Sequence, residues 1–112
     1  IAEKSGGSVT LTDDIKKGTA GADVIYADIW VSMGEPPEVW EERIKLLLPY
    51  QVNRAMMDKT GKADTIFMHC LPAVKGNEVA FDVIEGDQSR VWDEAENRLH
   101  AQKALLEFLL CR

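Results

Sequence analysis

Two segments of the sequence carry side chains suited to binding an amino-acid ligand. The first runs from Asp28 to Ser32 and Met33, and the second is His69 to Pro72. A carboxylate can hold an ammonium group, and a hydroxyl can bond either end of a zwitterion. A thiol, thiolate or backbone carbonyl can orient a second amine. Together these groups suit a zwitterionic ligand that carries an additional amine.

Each of these residues also has an ordinary structural alternative. Asp28 can cap a loop or a helix, Ser32 can be a plain loop hydroxyl, and Met33 can be a packing residue. Cys70 can be an inert, small apolar residue after a buried strand, and His69 a hydrogen-bonded structural histidine. The residue types alone leave both interpretations open.

A third candidate is Arg98, in the second turn of the predicted last helix. Glu94 lies four residues earlier, so an exposed ion pair between the two is one interpretation. The other is a cation directed at a polar ligand near the start of the helix. Asp93 and Glu96 have capping-box spacing, which predicts that the helix begins there and runs to about Leu110. Its predicted inner stripe is Ala95, Leu99, Gln102, Leu105, Leu106 and Leu109.

The elements that must position these residues are strands that alternate with helices. Apolar and β-branched runs predict strands at 8–12, 22–28 and 65–69, with a short last strand at 90–92. Helices are predicted at 13–17, at 38–48, after Asn53 as the capping residue, at 78–85 and at the end of the chain. This alternation predicts an α/β fold with a parallel sheet and flanking helices.

The strand ends decide whether the candidate residues meet. In an open parallel sheet, ligands bind beyond the carboxyl ends of the strands. If the strands at 22–28 and 65–69 are neighbours, the loops that follow them open into one crevice.

Composition excludes several classes of function. The 112 residues are 46% hydrophobic and 29% charged, as in a globular protein. The net charge of −6, without a basic stripe, argues against nucleic-acid and membrane-surface binding. No apolar run approaches the ~20 residues needed to span a bilayer.

The cysteines and glycines match no known site pattern. Cys70 and Cys111 make no disulfide framework and match no zinc spacing, and no glycine-rich phosphate loop is present. We expect a cytoplasmic protein with reduced thiols.

The first residues predict a chain that is part of a larger protein. Good helix formers from Ile1 run into Gly6 and Gly7, as at the last turn of a helix, but no helix start precedes them. Residues 1–112 are therefore interpreted as a single partial domain that ends in a long helix.

Three ordered segments resemble the ornithine carbamoyltransferase family. Asp28 to Glu35 resembles its ornithine-binding loop, His69 to Pro72 its second ornithine-side motif, and Ala95 to His100 its C-terminal helix signature. The similarity covers essentially the whole chain. It implies a Rossmann-like ornithine-binding domain, truncated at its N-terminus, from an enzyme that transfers a carbamoyl group from carbamoyl phosphate to L-ornithine. The products are L-citrulline and phosphate.

The resemblance also implies roles on the ornithine side. Asp28 would meet the α-ammonium group of ornithine, with Ser32 and the Met33 backbone beside it. The loop from Ser32 to about Pro37 would close over the ligand and exclude water. A full-length member would be a trimer-based homo-oligomer.

On the carbamoyl side, the resemblance implies roles for three residues. Cys70 and the Leu71 carbonyl would lie near the reacting amine and the carbamoyl group, and Arg98 would bind an oxygen of carbamoyl phosphate. The reaction needs no metal and no organic cofactor.

The sequence lacks two stretches that the family carries in its amino-terminal domain. These are a Ser-Thr-Arg-Thr stretch and a His-Pro-x-Gln stretch, and the asparagine expected to hold the ornithine carboxylate is absent too. We therefore expect this chain to need a missing N-terminal domain for catalysis. One alternative is a carbamoyltransferase for aspartate, putrescine or an acylated ornithine, although the Ser32-Met33-Gly34 loop favours ornithine. The other alternative is a non-catalytic amino-acid-binding fragment.

Overall fold

A pair of parallel strands forms the centre of the fold. The computed structural model describes residues 1–31 and 34–111, with β1 at Val24–Ala27 and β2 at Ile66–His69. The register pairs Val24 with Ile66 and Ala27 with His69, so both strands end at the same edge of the sheet. The predicted α/β fold with a parallel sheet is confirmed.

Helices precede, separate and follow the two strands. The described residues form α1 (Ile15–Thr19), α2 (Pro37–Leu47), α3 (Arg54–Asp58), α4 (Phe81–Ile84) and α5 (Val91–Leu110), with 3-10 turns at Glu3–Ser5 and Leu48–Tyr50. The first 3-10 turn ends at Gly6, whose φ of 76° is the left-handed conformation expected of a glycine that stops a helix.

The start of α3 shows how the local sequence fixes an element. The side chain of Asn53 accepts a hydrogen bond from the Met56 N–H at 3.0 Å, which satisfies a donor that the first turn would leave unpaired. Val52 and Met57 flank this cap and are both buried, as a hydrophobic staple requires. The predicted cap at Asn53 is confirmed.

The core lies between β2 and the helices that follow it. Phe67 is fully buried in the middle of β2, and α3, α4 and the first residue of α5 pack around it. Burying such a side chain contributes roughly 1.5–3 kcal/mol. The buried residues of this cluster are Val52, Met56, Met57, Phe67, Val79, Val83, Ile84 and Val91.

The predicted strand at 8–12 is wrong. Val9 and Leu11 are 86% and 100% exposed, and no strand in the described part of the chain pairs with this segment. Alternating β-branched residues favour an extended chain, but a strand forms only where a neighbour pairs with its backbone.

The predicted short strand at 90–92 and the predicted helix start at Asp93 are also wrong. The Phe67 N–H donates to the Gln88 carbonyl at 2.8 Å, and the Arg90 N–H donates to the Phe67 carbonyl at 2.9 Å. The chain thus bonds to β2 only over 88–90, and α5 begins at once with Val91. Arg90 precedes α5 without a side-chain cap, so the Asp93 capping box does not set the boundary.

The predicted inner stripe of α5 is exposed. Leu99 is 67% exposed, and Leu105, Leu106 and Leu109 are each more than half exposed. Only Val91 is buried on this helix, because α5 extends past the two-stranded sheet.

Within 1–31 and 34–111, no helix combines the length and the apolar character needed to cross a bilayer.

We expect Asn53→Ala to lower the free energy of unfolding by about 1 kcal/mol, because α3 loses its capping acceptor. Urea denaturation followed by circular dichroism measures the change. Asn53→Asp keeps an acceptor at the same place and should retain most of the stability. An equal loss in both variants would contradict the role of the cap.

Candidate functional site

The ends of the two strands bring a carboxylate and a thiol together. Because Ala27 pairs with His69, the next residues along each strand, Asp28 and Cys70, lie side by side. The Cys70 thiol donates a hydrogen bond to Asp28 Oδ1 at 3.0 Å, and the Ile29 N–H donates to the same oxygen at 2.7 Å. The crevice predicted from the sequence thus has its carboxylate and its sulfur in direct contact.

This contact determines the protonation of both groups. The hydrogen bond from Cys70, helped by the Ile29 N–H, lowers the pKa of Asp28. The same hydrogen bond, followed by partial burial and the charge of Asp28, raises the pKa of the Cys70 thiol. Near neutral pH the pair therefore holds one negative charge, on Asp28. Cys70 is a neutral thiol and not the thiolate that the sequence left open.

The residue after Cys70 has an unusual backbone. Leu71 has a φ of 53°, in the left-handed region that leucine rarely occupies, and a cis peptide bond joins it to Pro72. Its N–H donates to His69 Nδ1 at 2.9 Å. The hydrogen bond and the backbone conformation together fix the Leu71 peptide beside Cys70.

A buried histidine and a buried acid lie behind this loop. His69 and Glu78 are each 1% exposed, and His69 Nε2 lies 3.4 Å from Glu78 Oε1. The same Glu78 oxygen accepts a hydrogen bond from the Val74 N–H at 2.5 Å. His69 accepts one hydrogen bond, at Nδ1, and its Nε2 makes none among the described residues.

Arg98 shares a groove with Cys70. The groove has a volume of about 580 Å³ and is lined by residues of both strands and of α5, including Tyr26 and Glu94. The Tyr26 hydroxyl donates to Glu94 Oε1 at 2.6 Å, and this bond is the main reason that the pKa of Tyr26 rises to about 12. Among the described residues, Glu94 and Arg98 form no ion pair. The exposed ion pair that the sequence allowed between them is therefore not formed, and Glu94 binds the Tyr26 hydroxyl instead.

Asp28 also lines a second cavity, on the side of β1 that faces α1. This cavity has a volume of about 490 Å³ and includes Trp30, Tyr50 and Glu78 among its lining residues. Of the two spaces, Asp28 lines this cavity, whereas Cys70 and Arg98 line the groove, and Tyr26 borders both.

The structure brings together some of the predicted residues and adds others. Asp28 and Cys70 are in contact, Leu71 adjoins them, and Arg98 lines the Cys70 groove. The predicted residues Ser32 and Met33 lie outside the described part of the chain.

Sequence reasoning missed the Tyr26–Glu94 bond and the Glu78 contacts. Tyr26 is placed in an apolar strand and Glu78 at the start of a predicted helix, and neither pattern indicates a polar contact. The partner of Tyr26 is 68 residues away in the sequence, so no local spacing could have indicated it.

Comparison with known proteins identifies the family. A family profile described as aspartate/ornithine carbamoyltransferase, Asp/Orn binding domain, matches residues 1–109. The chain belongs to this family.

Individual relatives agree with the family match. The chain is 62% identical to an ornithine carbamoyltransferase of Pseudothermotoga lettingae, over 95% of the chain and 34% of the relative. It is 59% identical to the ornithine carbamoyltransferase of Thermotoga petrophila, over the same shares. Among solved structures, ornithine carbamoyltransferase from Pyrococcus furiosus matches with a TM-score of 0.87 and 54% identity, over 95% of this chain and 33% of that one. The chain thus spans about a third of the length of the curated relatives it matches.

We expect Asp28→Asn to make Cys70 more reactive. The hydrogen bond to the Asp28 carboxylate is the main cause of the raised pKa of the thiol, and the charge of Asp28 adds to it. Asparagine weakens that bond and removes the charge, so more thiolate is present at a given pH. The midpoint of the pH–rate curve for alkylation by iodoacetamide should move to lower pH, with faster alkylation at pH 8. Peptide mapping separates Cys70 from Cys111.

The matched control is Asp82→Asn, which makes the same chemical change at an exposed position in the first turn of α4. Its pH–rate curve for Cys70 should coincide with that of the unsubstituted chain. A curve that does not move in Asp28→Asn would show that the two side chains are not coupled in solution.

Proposed function

We propose that this chain is the ornithine-binding part of an ornithine carbamoyltransferase, which converts carbamoyl phosphate and L-ornithine to L-citrulline and phosphate. The observation that carries the proposal is the contact of 3.0 Å between the Cys70 thiol and Asp28 at the carboxyl ends of two paired strands. The names of the relatives, at up to 62% identity, support it.

Asp28 is proposed to bind the α-ammonium group of ornithine. It is charged near neutral pH, and both of its described hydrogen bonds end on Oδ1. Among residues 1–31 and 34–111, no donor reaches Oδ2, so a carboxylate oxygen remains for a ligand. Ser32 and the Met33 backbone are proposed to contact ornithine on the same side.

Cys70 and the Leu71 carbonyl are proposed to orient the reacting amine. That amine must attack in its neutral form, yet a free alkyl ammonium has a pKa near ~10.4. Removal from water lowers this value, whereas a thiolate beside the amine would raise it again. The raised pKa of Cys70 keeps the sulfur neutral, so it can contact the amine without opposing the loss of the proton.

Arg98 is proposed to bind the oxygen of the carbamoyl group. Negative charge develops on that oxygen in the transition state, and a fixed guanidinium stabilises it. Arg98 and Cys70 line the same groove, so the carbamoyl group and the amine can occupy one space. Holding both reactants there supplies proximity, which can be worth an effective molarity on the order of 10⁵ M.

The remaining two thirds of a full-length relative are proposed to supply the phosphate-binding groups. The chain alone then lacks half of the reaction site and is inactive by itself. On the resemblance alone, the full-length protein is proposed to be a cytoplasmic, trimer-based homo-oligomer without a metal or an organic cofactor.

We expect the full-length protein that contains this chain to form citrulline from ornithine and carbamoyl phosphate. Putrescine keeps both amines of ornithine but lacks its carboxylate, and each lost bond to a charged group costs about 1.5–3 kcal/mol. The value of kcat/KM for ornithine should therefore exceed that for putrescine by at least about 10- to 100-fold. A colorimetric citrulline assay, with chromatography for carbamoyl-putrescine, measures both.

Equal or faster turnover of putrescine would assign the protein to a different carbamoyltransferase. Absence of turnover with every amine tested, combined with tight ornithine binding in calorimetry, would instead indicate a non-catalytic binding domain.

We expect Asp28→Asn in the full-length protein to raise KM for ornithine by about 10- to 100-fold, because the α-ammonium group loses its charged partner. The KM for carbamoyl phosphate should change little, since Asp28 is assigned to the other substrate. Asp82→Asn is the control and should match the unsubstituted protein. An unchanged KM for ornithine would remove Asp28 from the site.

A further inference from the structure

We propose that Glu78 is a positioning residue that holds the loop after β2, and with it the Cys70 thiol, through His69 and the Val74 backbone. The proposal rests on the proposed function for its kinetic consequence, but its structural consequence can be measured without any turnover. Glu78 itself does not touch the pair formed by Asp28 and Cys70.

The burial of Glu78 indicates a specific role. A carboxylate that is 1% exposed has lost nearly all of its hydration, which is costly unless protein groups replace it. One oxygen, Oε1, accepts from the Val74 N–H at 2.5 Å and faces His69 Nε2 at 3.4 Å. The other, Oε2, has no hydrogen-bond partner in the described part of the chain. An apolar residue would fill this position at lower cost if packing were its only purpose.

The two ring nitrogens of His69 connect Glu78 to Leu71. Nδ1 accepts the Leu71 N–H at 2.9 Å, which leaves Nε2 as the ring nitrogen that can donate through its N–H. That N–H is the group that faces Glu78. At 3.4 Å the contact is longer than a well-formed hydrogen bond, and the Nε2 atom is otherwise unpartnered among the described residues. Glu78 Oε1 thus faces one nitrogen of the His69 ring while the other nitrogen holds Leu71.

Both ends of the loop therefore depend on one carboxylate. Leu71 is held indirectly through His69, and Val74 is held directly. Glu78 is itself anchored, because its carbonyl accepts from the Val52 N–H at 2.9 Å beside the core. Leu71 keeps a left-handed φ that leucine does not favour, so the loop should relax when the restraint is removed. Such relaxation moves Cys70 away from Asp28.

The test is Glu78→Gln in the full-length protein. Glutamine preserves size and an acceptor for Val74 but removes the charge that faces His69. We expect Cys70 to be alkylated by iodoacetamide at least about threefold faster, because the thiol loses its bond to Asp28. We also expect kcat with ornithine to fall by about 10- to 100-fold with KM for carbamoyl phosphate unchanged. Peptide mapping identifies Cys70, and Glu42→Gln, at an exposed position on α2, is the matched control.

A second variant changes His69, the residue that faces Glu78. His69→Asn places an amide oxygen near the position of Nδ1 for Leu71 but removes the group that faces Glu78. It should raise the Cys70 alkylation rate as Glu78→Gln does, and the double variant should exceed neither single variant by much. This variant provides the same alkylation test if Glu78→Gln does not fold.

Unchanged alkylation of Cys70 in a folded Glu78→Gln or His69→Asn protein would overturn the proposal. So would a lower melting temperature without any change in thiol reactivity, because that is the signature of a merely structural acid. If the protein showed no carbamoyltransferase activity at all, the alkylation result would still decide the role of Glu78.

Discussion

The parallel register of β1 (Val24–Ala27) and β2 (Ile66–His69) is the constraint on which the site depends. Neighbouring strands lie about 4.8 Å apart, so residues that follow a paired position are within side-chain reach. The pairing of Ala27 with His69 therefore makes the contact between Asp28 and Cys70 a direct consequence of strand alignment. A slip by one residue would turn Phe67 out of the core, so the buried side chains that set the register also set the geometry of the site.

The electrostatics of the site follow from the same alignment. A carboxylate and a thiol in contact do not both ionise near neutral pH, and the hydrogen bond decides that the carboxylate carries the charge. Tyr26 and Glu94 form a similar pair, in which the hydroxyl keeps its proton and donates a hydrogen bond to Glu94 Oε1. The negative charge of the Asp28–Cys70 pair is thus localised on the carboxylate, while the sulfur stays neutral.

Sequence reasoning succeeded where the forces are local or where an apolar run fills a core. The cap at Asn53 depends on neighbours within one turn, and β2 places Phe67 in the core as its composition indicates. It failed where the outcome depends on distant chain segments. Residues 8–12 have strand character without a partner, and the apolar stripe of α5 (Val91–Leu110) has nothing to cover it in the described chain. The partner of Tyr26 is equally invisible in a linear pattern, because tertiary structure alone brings Tyr26 and Glu94 together.

The loop from Cys70 to Glu78 concentrates features that cost free energy. A left-handed leucine costs about 1–2 kcal/mol, and a buried carboxylate with one unpartnered oxygen adds a desolvation cost. The surrounding core is ordinary: Phe67, Val79 and Val83 are buried and apolar, and they stabilise the frame around the loop. Departures from low-energy geometry that cluster in one segment, beside the only thiol in contact with a carboxylate among the described residues, are typical of functional sites. The stability of the core therefore maintains the orientation of Cys70 against the tendency of its loop to relax.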